Sequence, residues 1–149
     1  MKVYIDADGC PVVGITVDIC KAEGIDVTIV CDTSHFFTSD HASVVMVDKG
    51  ADSADMKIAN LAGSGDIVIT QDYGLAAMCL AKKCICVSQD GLIYDESNID
   101  SLLLSRHIAK KIRNSGGKLK GPHKRTVQAD EKFRLVLLTI IKKQKEGLK

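Results

Sequence analysis

The segment Asp6-Ala7-Asp8-Gly9-Cys10-Pro11 places two carboxylates one residue apart, directly after the apolar run Val3-Tyr4-Ile5. A hard cation such as magnesium takes oxygen ligands and keeps part of its water shell, so this pair could help to hold one. The same residues also suit a capped turn before a helix, where acidic groups meet the helix's positive end. Asp52 and Asp55 open a helical pattern after a later apolar run, and Asp72 follows Thr70 just beyond another. If these strand ends converge, the carboxylates repel one another unless a cation or a proton intervenes. If they do not, each is an acidic residue at its own helix start. Asp66 and Asp90 read as turn residues.

Basic residues supply a complementary chemistry. Arg106, Lys110 and Arg113 share one helix face by their spacing of four and three, and Lys118, Lys120, Lys124 and Arg125 follow in a Gly- and Pro-containing loop. Such a patch can grip phosphates without reading bases, or it is an ordinary solvated face. The three tyrosines give little support for a base-stacking array. Cys10 lies at a helix start, but Asp6 and Asp8 oppose a thiolate there, and a structural thiol is expected.

The elements that must position these groups alternate along the chain. Strands are expected over 2–6, 26–31, 43–47, 66–70 and 84–88, with either a short strand or only a turn at 91–94. Helices are expected from Pro11, in a first turn, to about Glu23 with Gly24 as its stop, and over 53–62, 74–82, 99–114 and 127–145. Residues 32–41 read as a polar turn region. Short, nearly continuous apolar strands separated by helices imply a mainly parallel sheet covered on both faces: an α/β, three-layer α/β/α sandwich. In such a sheet the carboxyl ends of the strands form the usual ligand edge, where Asp6 and Asp72 fall.

The 149 residues fit one domain, with basic helices from about 99 onward. The formal charge of +1 conceals an asymmetry: residues 1–105 hold 6 Lys+Arg against 16 Asp+Glu, whereas residues 106–149 hold 14 against 3. No run approaches 18 apolar residues, which excludes a membrane-spanning helix, and Met1–Ile5 runs straight into Asp6 and Asp8, so no secretory signal is expected. Six cysteines without a CxxC pair, most of them in or beside apolar segments, point to reduced thiols and a cytoplasmic protein rather than to disulfides or structural zinc.

DADGCP at 6–11, GADSAD at 50–55, GDIVITQDYGLA at 65–76, the glycine-spaced ending at Gly117–Pro122 and the Asp130–Phe133 segment together resemble the YaiI/YqxD family, over nearly the whole chain. That family is similar to PIN-like nuclease domains, whose wider group uses clustered acids to hold Mg²⁺ or Mn²⁺ and hydrolyse RNA. The resemblance implies a metal-dependent RNA phosphodiester hydrolase. Asp6, Asp8, Asp55 and Asp72 would be catalytic metal ligands, with Asp52 supporting them or orienting water. Asp90 is a candidate for a further acid. Arg106, Lys118, Lys120, Lys124 and Arg125 would bind phosphates.

Two other readings remain. The Asp6-Ala7-Asp8-Gly9 stretch looks like the nucleophile loop of haloacid-dehalogenase-type phosphatases, with Asp6 as nucleophile, Asp8 as acid/base and Thr70 as a phosphate contact, although no distal lysine and acid pair can be assigned. A non-catalytic nucleic-acid-binding module needs only the basic surface.

Overall fold

Alternation along the first strand sets the layering. A computed structural model of the chain describes residues 1–32, 39–48, 53–117 and 124–147. In β1 (Val3–Asp6), Val3 and Ile5 enter one apolar core and Tyr4 enters the other, as the two-residue period of a strand requires. Both cores are built this way because parallel neighbours bury both faces of the strand. The remaining elements, in chain order, are α1 (Val13–Glu23), β2 (Val27–Asp32), β3 (Ser43–Val47), α2 (Ser53–Leu61), β4 (Ile67–Ile69), α3 (Tyr73–Ala81), β5 (Ile85–Val87), β6 (Ile93–Tyr94), α4 (Glu96–Asn114) and α5 (Val127–Gly147).

The strands lie in the order β3-β2-β1-β4-β5-β6, with the first five parallel and β6 antiparallel to β5. One core joins α1 and α5 to the sheet, and Phe133, Leu137, Ile140 and Ile141 of α5 are buried in it. Each such side chain contributes roughly 1.5–3 kcal/mol of burial. The second core gathers Ile58, Ala59 and Ala62 from α2 and its end, Leu75, Ala76 and Cys79 from α3, and Ile99 of α4. The chain is thus the expected three-layer α/β sandwich with a mainly parallel sheet. No helix among the described residues is long and apolar enough to cross a membrane.

Two boundaries differ from the sequence reading, and one open alternative is decided. Helix α1 starts at Val13, so Pro11 stands in the preceding turn and not in the first helical turn; Val12 is the N-cap and accepts the Thr16 hydroxyl through its carbonyl oxygen at 2.8 Å. Helix α4 starts at Glu96 and not near 99, because Asp95 caps it: its Oδ1 accepts the N–H groups of Ser97 and Asn98, while the Asn98 side chain accepts the Asp95 N–H. Of the two alternatives for 91–94, strand or turn, the chain takes the strand, pinned by Ser88 N–H donating to the Leu92 carbonyl. The six cysteines are free thiols. At Gly24, φ of 69° forms the left-handed C-cap of α1, a conformation that glycine adopts without a Cβ clash.

Candidate functional site

The chain crosses from β3 back to the other side of β1 before laying down β4, so the topological switch point lies between β1 and β4. Adjacent connections leave in opposite directions there and open a crevice at the carboxyl ends of the strands. Asp6 ends β1, and Thr70 directly follows β4. The Thr70 hydroxyl, on a residue only 2% exposed, donates to Asp6 Oδ2 at 2.8 Å and accepts the Asp72 backbone N–H at 2.9 Å. One buried oxygen, 64 residues from Asp6 in sequence, therefore ties Asp6 to the Asp72 segment. Beneath it, the buried Tyr94 hydroxyl donates to the Thr70 carbonyl at 3.1 Å, which fixes the end of β4 from the antiparallel strand.

Asp8 lies on the same rim. Its carboxylate accepts the Asp32 backbone N–H, with both oxygens at 3.3 Å, and so links the turn after β1 to the end of β2. Gly9 permits that turn with φ of 71°. Asp6, Asp8, Cys10, Thr70, Gln71 and Gln89 line a small crevice of about 60 Å³. Beside it, Asp55, Asp72, Gly74, Leu75, Met78 and Arg106 line a more open cleft of about 370 Å³.

Asp72 caps α3: its Oδ1 accepts the N–H groups of Gly74 at 2.8 Å and Leu75 at 3.2 Å. A Cβ at position 74 would come within 3.2 Å of that oxygen, so glycine allows the close approach. Asp55, in the first turn of α2, lines the same cleft as Asp72 and acts to lower its pKa. Two carboxylates in one cleft repel each other unless a proton or a cation intervenes. Arg106 of α4 reaches Asp72 Oδ1 at 3.4 Å.

The helix-cap alternative therefore holds for Asp72, but not for the first pair. Helix α1 has no acidic residue in its first turn and no side-chain cap, so Asp6 and Asp8 face the crevice instead of serving the helix. The electrostatics follow from this placement. Burial pushes the Asp6 pKa up, Thr70 opposes it, and the negative charges of Asp72 and Asp8 push further up. Burial also acts to raise the Asp72 pKa, but Asp55, the Leu75 N–H, the Arg106 guanidinium and the Gly74 N–H outweigh it and hold the carboxyl below its usual range. Burial raises the Cys10 pKa, and Asp6 adds to the rise, in keeping with a structural thiol.

Arg125 is committed elsewhere. Its guanidinium donates to Asp130 at 2.6 Å, to Asp90 at 3.0 Å and to the Gln89 carbonyl at 2.8 Å, joining the start of α5 to the turn behind the crevice. Asp90 is thus a partner of Arg125. Lys124 is exposed next to it. Asp52, Lys118 and Lys120 lie outside the described residues. Asp66 is at the opposite edge of the sheet, where it accepts the N–H groups of Lys2 and Gly63. The sequence alone assigns Thr70 only a phosphate-contacting role and Tyr94 none; the visible signal is a hydroxyl residue directly after the apolar run Ile67-Val68-Ile69.

Apart from the Cys10 thiol and the Met56 and Met78 thioethers, the candidate ligands in the two clefts are carboxylate, hydroxyl and amide oxygens, which suit a hard cation. Among the described residues, no three His, Cys, Asp or Glu side chains are grouped to hold a metal ion. The arrangement fits a hydrated ion held by one or two carboxylates, with phosphate or water completing its shell, and not a closed protein cage. A separate apolar groove between β5, β6 and α5, lined by Ile85, Ile93, Leu135, Val136 and Ile140, contains no carboxylate.

Fold and crevice together define a doubly wound α/β protein with an acidic switch point. The chain belongs to the YaiI/YqxD family: the family model described as "Uncharacterized BCR, YaiI/YqxD family" matches residues 4–143. A UPF0178 protein of Clostridium acetobutylicum is 44% identical over 147 residues, covering 97% of this chain and 99% of the relative. A UPF0178 protein of Ruminiclostridium cellulolyticum is 46% identical, covering 99% and 96%, and one of Exiguobacterium sibiricum is 47% identical, covering 89% and 91%. No solved structure matches the chain.

Proposed function

We propose that the protein is a Mg²⁺- or Mn²⁺-dependent hydrolase of phosphodiester bonds in RNA, working at the β1/β4 crevice. The observation that carries this reading is the Thr70 hydroxyl, which holds Asp6 and the Asp72 segment at one point. Asp6 is a partly buried carboxylate whose proton affinity Asp72 and Asp8 raise, a poor arrangement for stability and a good one for attracting a cation. The family's resemblance to PIN-like nuclease domains points the same way and supplies RNA as the substrate class. Asp6 and Asp72 would hold the ion, with Asp8 and Asp55 at its flanks. A divalent ion bound there would supply charge neutralisation for a phosphate and a more acidic water.

The protein's own groups do the rest. Thr70 keeps Asp6 oriented by donating to one oxygen, which leaves the other to the crevice. Asp8, anchored on the Asp32 N–H, fixes a second negative group on the same rim. Arg106 and Lys124, both exposed, are available to backbone phosphates, which bind basic side chains without sequence preference.

The test is to strip the protein of metal, incubate it with short RNAs and DNAs, and restore Mg²⁺ or Mn²⁺ separately while mapping product ends. Cleavage of RNA on metal addition, lost in Asp6→Asn and Asp72→Asn, is the expected result. RNA binding that survives both substitutions with no cleavage would instead identify a non-catalytic binding module. A phosphate trapped covalently on Asp6 would identify a phosphatase.

A further inference from the structure

Two arginines meet carboxylates near the crevice, and they do so differently. Arg125 is only 21% exposed in its side chain and is held at 2.6 Å by Asp130, with two further acceptors. Arg106 is 59% exposed and makes one contact of 3.4 Å with an oxygen that already receives two backbone N–H groups. The α3 cap is therefore complete without Arg106. The first tie is structural, and the second is readily exchanged.

The position of Arg106 on α4 extends the point. Ile99 is buried against the second core, and Leu102 and Leu103 pack on it. Arg106 comes next on that face, three to four residues on, followed by Lys110 and Arg113 at the same spacing. The face that anchors α4 thus turns from apolar to basic where it reaches the acidic cleft. The sequence from Asp100 to Asp130 contains eight Lys and Arg and no carboxylate between those two residues.

We propose that Arg106 is an exchangeable counter-ion: it neutralises Asp72 when the cleft is empty, and when a divalent cation takes that place it is released to a phosphate of the incoming strand. This rests on the cation site proposed above. Cation and guanidinium compete for the same carboxylate, so each weakens the other, while a freed Arg106 favours the polyanion. Metal and nucleic acid then bind with positive coupling that passes through one side chain.

The experiment titrates Mn²⁺ into the full chain and follows free Mn²⁺ by electron paramagnetic resonance, for the wild type, Arg106→Gln, Arg106→Lys and Asp72→Asn. Binding of a short phosphorothioate RNA is measured in parallel by fluorescence anisotropy, with and without Mn²⁺ at constant ionic strength. Arg106→Gln should bind Mn²⁺ about fivefold more tightly than the wild type, the scale of an exposed ion pair. Arg106→Lys keeps the charge and should stay within about twofold of the wild type. Mn²⁺ should tighten RNA binding more in the wild type than in Arg106→Gln. Unchanged or weaker Mn²⁺ binding by Arg106→Gln, or an equal effect of Mn²⁺ on RNA in both proteins, overturns the proposal. If Asp72→Asn abolishes Mn²⁺ binding while Arg106→Gln leaves it unchanged, only the exchange fails. If no Mn²⁺ binding depends on Asp72, the cation site fails and takes the exchange with it.

Discussion

Replacing Thr70 with valine keeps the shape of the buried side chain and removes only the oxygen that joins the two strand ends. Two bonds go with it: the 2.8 Å donation to Asp6 and the 2.9 Å acceptance of the Asp72 N–H. A hydrogen bond to a charged group contributes about 1.5–3 kcal/mol, and an amide left without a partner costs about 1–3 kcal/mol when buried. Both partners are only partly buried, so the loss should fall near the low end of that sum, roughly 2–4 kcal/mol. For a chain of this size each kcal/mol moves Tm by about 2–4 °C, which places the variant roughly 4–16 °C below the wild type. Thr70→Ser retains the oxygen and should lose only about 1 kcal/mol for the methyl group. Urea unfolding followed by circular dichroism separates the two variants. The valine defect should also depend on pH. The hydroxyl stabilises ionised Asp6, so its contribution is present above the Asp6 pKa and shrinks as pH falls through it. A valine variant as stable as the serine variant, with the same amide-exchange protection at Asp72, would refute the tie.

Three further outcomes follow from the same placement. Burial raises the Asp6 pKa, so protonation of Asp6 stabilises the fold fully below the ordinary carboxylate range, and that contribution is lost as pH rises through the raised folded value. Asp6→Asn should therefore be more stable than the wild type at pH 7, with the gain vanishing in acid; a loss at neutral pH would contradict it. Asp95→Ala should cost about 1 kcal/mol through the lost α4 cap and leave Mn²⁺ binding unchanged, as checked by thermal unfolding and a metal titration. Cys20, Cys31, Cys79, Cys84 and Cys86 are buried, and burial pushes the Cys20 thiol up to about 12 and the Cys84 thiol up to about 11. Only Cys10 should react with a thiol reagent before unfolding, and rapid labelling of a second thiol in the native protein would contradict this.

The strands were legible because Val3-Tyr4-Ile5 and Ile67-Val68-Ile69 are uninterrupted apolar runs, and the carboxylates stood out because they follow such runs directly. Their convergence was not legible. It depends on β4 adding to the far side of β1, and strand order is set by tertiary packing and not by local pattern. The α4 start was misplaced because its cap is Asp95 with Asn98, in place of the commoner hydroxyl and glutamate pair. The Arg106–Asp72 contact spans 34 residues and joins two helices whose approach no spacing rule reveals. Tyr94 reads locally as an ordinary strand aromatic; its role appears only when its hydroxyl is seen against the Thr70 carbonyl.

The most direct measurement is anomalous diffraction from crystals soaked in Mn²⁺, with Asp100→Asn as a surface control and Asp6→Asn as the site variant. The account predicts a manganese peak in the crevice between the ends of β1 and β4, within ligand distance of Asp6 or Asp72, present in the control and lost in Asp6→Asn. Manganese found only away from that crevice, or a crevice peak indifferent to Asp6→Asn, would contradict it.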